Sequence, residues 1–162
     1  MRSKSRVLVA AVMAVIAITA IAYAQNIMGS ITVAIVEMVN VNDIGPYNFP
    51  ARSAGVRTYE NVIALYLTEG NGFKRNDDVV VRVELVPLDA EVYAGFRALT
   101  IQIIYGTNPV ATLTMNTPCA EFTIENITPG TYQYHVKIIF ATGEKTMTVH
   151  IRLKVTIVGI LP

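Results

Sequence analysis

Residues 131–155, TYQYHVKIIFATGEKTMTVHIRLKV, alternate apolar and polar side chains on both sides of Thr142-Gly143. Tyr132, Tyr134, Val136 and Ile138 interleave with Gln133, His135 and Lys137, and Met147, Val149, Ile151 and Leu153 interleave with Thr148, His150 and Arg152. A period of two is that of a half-buried strand, because successive side chains leave opposite faces of the pleat. With Thr142-Gly143 as a two-residue turn, Ile138 faces Met147, Val136 faces Val149, Tyr134 faces Ile151 and Tyr132 faces Leu153. The other face then pairs Lys137 with Thr148, His135 with His150 and Gln133 with Arg152. Every pair sorts into apolar or polar, so the segment predicts a long antiparallel hairpin in a register that a one-residue slip would destroy.

The same signature extends outward. Val79, Val81, Val83 and Leu85 alternate with Arg82 and Glu84, and β-branched or aromatic runs recur between Gly, Pro, Asn and Asp. Strands are expected near 30–39, 58–68, 79–86, 98–105, 110–115, 120–127, 131–141 and 145–158. Asn42-Asp43-Ile44-Gly45-Pro46, continuing to Pro50, predicts a long loop, and Glu69-Gly70-Asn71-Gly72, Gly106-Thr107-Asn108-Pro109 and Pro129-Gly130 predict turns. About eight short strands without a 3.6-residue apolar period predict an all-β fold, a jelly-roll or Ig-like β-sandwich. The chain has 162 residues, 52% apolar and 15% charged, with a formal net charge of +1. That composition excludes a disordered tail and offers no basic patch for nucleic acid. One cysteine makes neither an internal disulfide nor a thiolate zinc cluster.

Arg2, Lys4 and Arg6 precede the apolar run Val7 to Ala22, VLVAAVMAVIAITAIA, and Ala22-Tyr23-Ala24 is followed by Gln25-Asn26. A basic start, an apolar stretch and an A-x-A site predict a secretory signal peptide over residues 1–24, removed on export. Two alternatives use the same residues. One is a retained membrane anchor. The other is a type IV pilin-like subunit, cleaved before the apolar run, whose N-terminal helix stays in a fibre core.

The next stretch differs from the rest. In Ile31-Thr32-Val33-Ala34-Ile35-Val36-Glu37-Met38-Val39, one pleat face carries Ile31, Val33, Ile35 and Val39, and the other carries Ala34, Val36 and Met38. A strand apolar on both faces must be covered on both. Burying five of these side chains is worth on the order of 10 kcal/mol at about 1.5–3 kcal/mol each. Within residues 25–39, the side chains expected to plug a neighbouring subunit are Ile27, Ile31, Val33, Ile35, Val36 and Met38, with Gly29 as a hinge. Donor and acceptor would be different surfaces of one molecule, so the contact repeats into an open fibre. Residues 40–162 would form the sandwich.

The order of these features, with Arg97-Ala98-Leu99-Thr100-Ile101-Gln102-Ile103, Thr128-Pro129-Gly130-Thr131-Tyr132 and the final hairpin, resembles the archaeal bundling pili. It is also similar to the bacterial matrix fibre protein TasA, a longer chain, and to archaeal extracellular thread and tubule subunits. The resemblance implies a secreted jelly-roll subunit that polymerises head to tail by donor-strand exchange, in cell-surface filaments serving adhesion or biofilm. Its partners would be identical subunits and neighbouring filaments, with no stable membrane association after the signal is removed. Several tubule subunits hold calcium between subunits. Here Asp77-Asp78, Asp43, Asp89 and Glu91 are the available oxygens, without the spacing of a dedicated calcium loop, and a solvated turn is expected at Asp77-Asp78.

Chemistry for catalysis is sparse. The sequence has no H-E-x-x-H, G-x-S-x-G, P-loop or dinucleotide-binding turn. Cys119 has no base beside it, His135 and His150 lack an acidic third ligand, and Glu121 and Glu125 alternate with apolar residues as on a solvent face. A non-enzymatic chain without metal or cofactor is expected. Asn126-Ile127-Thr128 is the one glycosylation sequon. An envelope-anchored Ig-like binding module is the remaining alternative.

Overall fold

The computed structural model describes residues 38–161. They form ten strands in antiparallel sheets, a six-residue helix α1 (Ala90–Gly95) and a 3-10 turn at Glu69–Asn71. The strands are β1 (Val39–Val41), β2 (Ile44–Phe49), β3 (Ala54–Leu67), β4 (Asp78–Leu85), β5 (Phe96–Tyr105), β6 (Asn108–Thr114), β7 (Cys119–Ile124), β8 (Gly130–Thr142), β9 (Met147–Ile151) and β10 (Leu153–Leu161). One sheet has the order β1-β3-β8-β5-β6, a second β10-β4-β7, and β2 pairs with β9. All of them contribute to one apolar cluster, which includes Leu65, Val81, Ile101, Leu113, Val136, Ile138 and Ile151.

Alternation assigns the inward faces as expected: Tyr134, Val136, Ile138 and Phe140 are buried on β8, and Val149, Ile151 and Leu153 on β9 and β10. The expected hairpin between them is not there. β8 pairs with β3 on one side and β5 on the other, with Ile138 opposite both Arg57 and Ile101, while β9 pairs with β2. The two strands face the same core from different sheets, so their apolar residues match without their backbones pairing. Thr142 enforces the crossing. Its N–H donates to Ser53 O at 2.8 Å, its Oγ1 accepts the Ser53 N–H at 2.8 Å, and the hydroxyl lies 2.6 Å from Pro50 O. Gly143 N–H donates to Gly95 O at 2.8 Å and accepts at its own carbonyl from Arg52 N–H at 2.7 Å. Thr142→Val should therefore cost about 1–3 kcal/mol by removing a buried hydroxyl's bonds to the part-buried Ser53 and Pro50 backbone, read as a shift in urea midpoint; a change under about 0.5 kcal/mol, as at an ordinary surface site, would contradict this role.

The expected loop at 42–50 contains β2, and the expected strand at 145–158 divides at Arg152 into β9 and β10. Gly45 makes the close approach of β2 possible. Its φ is +131°, and a Cβ there would meet Val149 O at 3.0 Å.

Tyr134 is 1% exposed and packs against Phe122 and Tyr105, with ring centroids 5.4 and 5.2 Å away. Burial, reinforced by Tyr105 and Tyr132, pushes its phenol well above the usual tyrosine range. The unfolded chain's tyrosine ionises near pH 10 while the folded one keeps its proton, so this contribution is intact below about pH 10 and lost as pH rises further. The urea midpoint should fall between about pH 10 and 11.5, less steeply in Tyr134→Phe. Parallel curves for the two proteins would contradict the assignment. Tyr47 is also raised, chiefly by burial, so some slope should remain in the variant.

Candidate assembly surface

The chain joins the five-stranded sheet at its edge. β1 lies antiparallel to β3, with Val39, Asn40 and Val41 opposite Leu65, Ala64 and Ile63. The ladder is extended by Tyr66 N–H donating to Met38 O at 2.9 Å and Asn42 N–H donating to Val62 O at 2.8 Å. β3 ends one residue beyond Tyr66, at Leu67. Met38, expected as the last plugging side chain, packs half-buried against its own domain's core, as do Val39 and Val41. Ile27, Gly29, Ile31, Val33, Ile35 and Val36 lie outside the described residues, as does the expected signal segment.

The outer strands differ in how well they are protected. β6 carries Pro109, β2 carries Pro46, and β1 is only three residues long. β7 is six residues long and is tied back toward β6 by the Thr114–Thr117 turn, where Thr114 N–H donates to Thr117 O at 2.9 Å. β10 has nine residues, no proline and one charge, Lys154, and it exposes Val158, Ile160 and Leu161. Short strands, prolines and charges are how sheets protect their edges. β10 lacks most of that protection. The outer face of its sheet carries charge across all three strands, where Arg82 Nε on β4 donates to Glu121 Oε1 on β7 at 2.8 Å and Lys154 Nζ on β10 sits 3.4 Å from Glu84 Oε2 on β4. Pairs this exposed contribute about 0–1 kcal/mol each.

The remaining sequence candidates are dispersed. His135 and His150 do not meet: His135 Nδ1 accepts the Asn61 N–H at 3.2 Å within the large sheet, while His150 is exposed on β9. That pairing fell with the hairpin. Asp77 is buried, contrary to the expected solvated turn; its Oδ2 accepts the Lys74 N–H at 2.8 Å, and Asp78 Oδ1 accepts the Asn126 N–H at 2.8 Å. These carboxylates pin a turn between β7 and the start of β4. Asp43, Asp89 and Glu91 are exposed, and among the described residues no three His, Cys, Asp or Glu side chains gather to hold a metal ion. Cys119 is exposed at the start of β7. Asn126 is exposed with φ +49°, and Thr128 is exposed too, so the sequon sits on an accessible turn.

Two shallow clefts flank α1. One, of about 300 Å³, lies between Val86–Asp89 with Val92 and the β9 residues Thr148, Val149 and His150, with Arg152 at its end. The other, of about 620 Å³, is lined by Glu91, Arg97, Glu144, Lys145 and small residues around Gly95 and Gly143. Sequence reasoning missed the β10 edge, since which strands pair is set by contacts far apart in the chain.

What the described residues define is an antiparallel all-β domain with β1 at one edge of its five-stranded sheet and β10 at the edge of the three-stranded one. No protein-family model matches the chain, and no curated protein matches it.

Proposed function

We propose that the chain is a non-enzymatic subunit of an extracellular filament, exported by its N-terminal signal and polymerised by the two-faced apolar stretch after it. The subunit is read as a jelly-roll or Ig-like sandwich, and residues preceding Met38 are read as the strand given to the next copy. The observation that carries this is the position of β1. Met38 sits at the edge of a sheet whose partner strand ends at Leu67, so the β1–β3 ladder has room for no more than one residue before it. An apolar stretch of this kind needs cover from elsewhere, and backbone pairing with another molecule supplies it. The Tyr132 hydroxyl, which bonds back to both the N–H and the carbonyl of Thr128 at 3.0 Å, supports the sandwich reading, since a tyrosine at this kind of strand start is a mark of Greek-key corners.

N-terminal sequencing of the exported protein tests the reading. A first residue at Gln25 is expected, with filaments visible by electron microscopy. A start near Arg6 or Val7 would favour a helix-cored pilin, and an intact Met1 an anchored module.

A further inference from the structure

We propose that Asn126 carries an N-linked glycan and that the sugar is attached before the domain folds. The inference rests on the export reading, since N-linked sugars are added to chains leaving the cell, and it adds a modification and its timing.

The sequon Asn126-Ile127-Thr128 lies between β7, which ends at Ile124, and β8, which begins at Gly130. Ile127 is 1% exposed and belongs to the core, while Asn126 and Thr128 on either side of it are exposed. The buried isoleucine thus fixes the turn with both defining residues of the sequon facing outward. Asn126 has φ +49°, a left-handed conformation that asparagine tolerates better than most residues. A sugar joined to its Nδ2 leaves that backbone as it is and displaces nothing from the core, so the folded domain accommodates the product.

The folded turn is nevertheless a poor substrate. Asn126 N–H donates to Asp78 Oδ1 at 2.8 Å, and Ile127 N–H donates to Asp77 O at 2.9 Å. The Ile127 carbonyl accepts the Asn76 N–H at 2.9 Å. Thr128 N–H donates to the Tyr132 hydroxyl at 3.0 Å, and that hydroxyl donates back to Thr128 O at 3.0 Å. The backbone of all three residues is therefore engaged within the domain. A transferase that reads the sequon has to hold the Asn126 amide and the Thr128 hydroxyl together in its own cleft. Doing so to the folded turn means breaking these bonds and drawing Ile127 out of the core, and both hydrogen bonding and apolar burial oppose it. In the unfolded chain neither is present.

The donor is an oligosaccharide joined through its anomeric carbon to a polyprenyl phosphate. Asn126 Nδ2 forms a bond to that carbon and gives up one proton to a base of the transferase. The bond from the carbon to the phosphate oxygen breaks, and its electron pair leaves with the phosphate. Nothing is oxidised or reduced.

Mass spectrometry of residues 98–137, the tryptic peptide that holds Asn126, tests this on the chain exported by its own cells. Sugar is expected at Asn126, absent from Asn126→Gln and Thr128→Ala and retained in Thr128→Ser, which keeps the hydroxyl. For the timing, the chain made in a host without the transferase is folded and then given membranes that hold the transferase and the lipid-linked donor. It should be labelled at least about 100-fold more slowly than a synthetic peptide of residues 120–134, because modification then waits on rare opening of the turn. Tyr132→Phe frees the Thr128 N–H and carbonyl and should narrow that gap. An exported chain whose peptide carries no sugar overturns the glycan and leaves export standing, whereas a chain recovered only from inside the cell overturns export itself. Labelling of the folded chain at the peptide's rate overturns the timing, as does a folded Tyr132→Phe chain labelled no faster than the unaltered one.

Discussion

Deleting residues 25–37 is expected to abolish filament formation while leaving a folded monomer. The domain from Met38 onward has its own core, with Ile63, Leu65, Val81, Ile101, Leu113, Ile138 and Ile151 essentially inaccessible, so the truncated chain retains the packing that holds its sheets together. What it loses is the strand that would join copies. The deletion stops at Glu37 because Met38 belongs to the β1–β3 ladder through its bond with Tyr66; removing it as well would confound assembly with local fraying. Sedimentation and electron microscopy should find no polymer at concentrations where the exported chain forms fibres. Adding a peptide of residues 26–37 back to the truncated protein should raise its melting temperature, because a ligand that binds only the folded state stabilises by about 2.7 kcal/mol at a hundred times its Kd. Replacing Ile31, Val33 and Ile35 in the peptide with Asp should cancel the shift. Fibres from the truncated chain would end the strand-donation reading.

Much of the fold was legible because a half-buried strand announces its period locally. Val79, Val81, Val83 and Leu85 are all buried, and the inward sets on β8 and β9 are the ones alternation selects. Strand neighbours were not legible. Alternation says which side chains face a core and nothing about which backbone lies alongside, so two strands facing each other across the core could be mistaken for a hairpin. The pairing of β8 with β3 and β5 and of β9 with β2, and the bonds among Thr142, Ser53, Pro50 and Gly143, reveal that the chain crosses between sheets there. β2 was hidden for another reason. Gly45, Pro46 and Asn48 read as loop residues, yet at the outside of a two-stranded pairing a proline forfeits no ladder bond and is tolerated. The break between β9 and β10 involves one outward residue, Arg152, which leaves the period of two undisturbed. The apolar stretch before Met38 stood out in the sequence, whereas the unprotected β10 edge required knowing which strands are outermost.

Phe49→Ala should be among the most destabilising single changes in the domain. Phe49 is fully buried at the end of β2, opposite Met147 on β9. Its ring meets Phe140 and Phe96 edge-on at centroid distances of 4.8 and 5.2 Å, and the Arg57 guanidinium lies 5.0 Å from its centroid. Truncation would leave a cavity bordered by two aromatic rings and a cation that had packed against a third. Phenylalanine-to-alanine changes in cores cost about 3–5 kcal/mol, a large part of the 5–15 kcal/mol typical of a domain. The expected fall in melting temperature is roughly 10–20 °C for a domain of this size. Val56→Ala, on the exposed side of β3 at 57% accessibility, should change stability by less than about 0.5 kcal/mol and serves as the control. The comparison also decides between two accounts of residues 42–50. If the Gly45-Pro46-Tyr47-Asn48-Phe49 segment were the loop its composition suggests, Phe49 could be lost for under about 1 kcal/mol. A small effect would show that β2 does not hold Phe49 in the core.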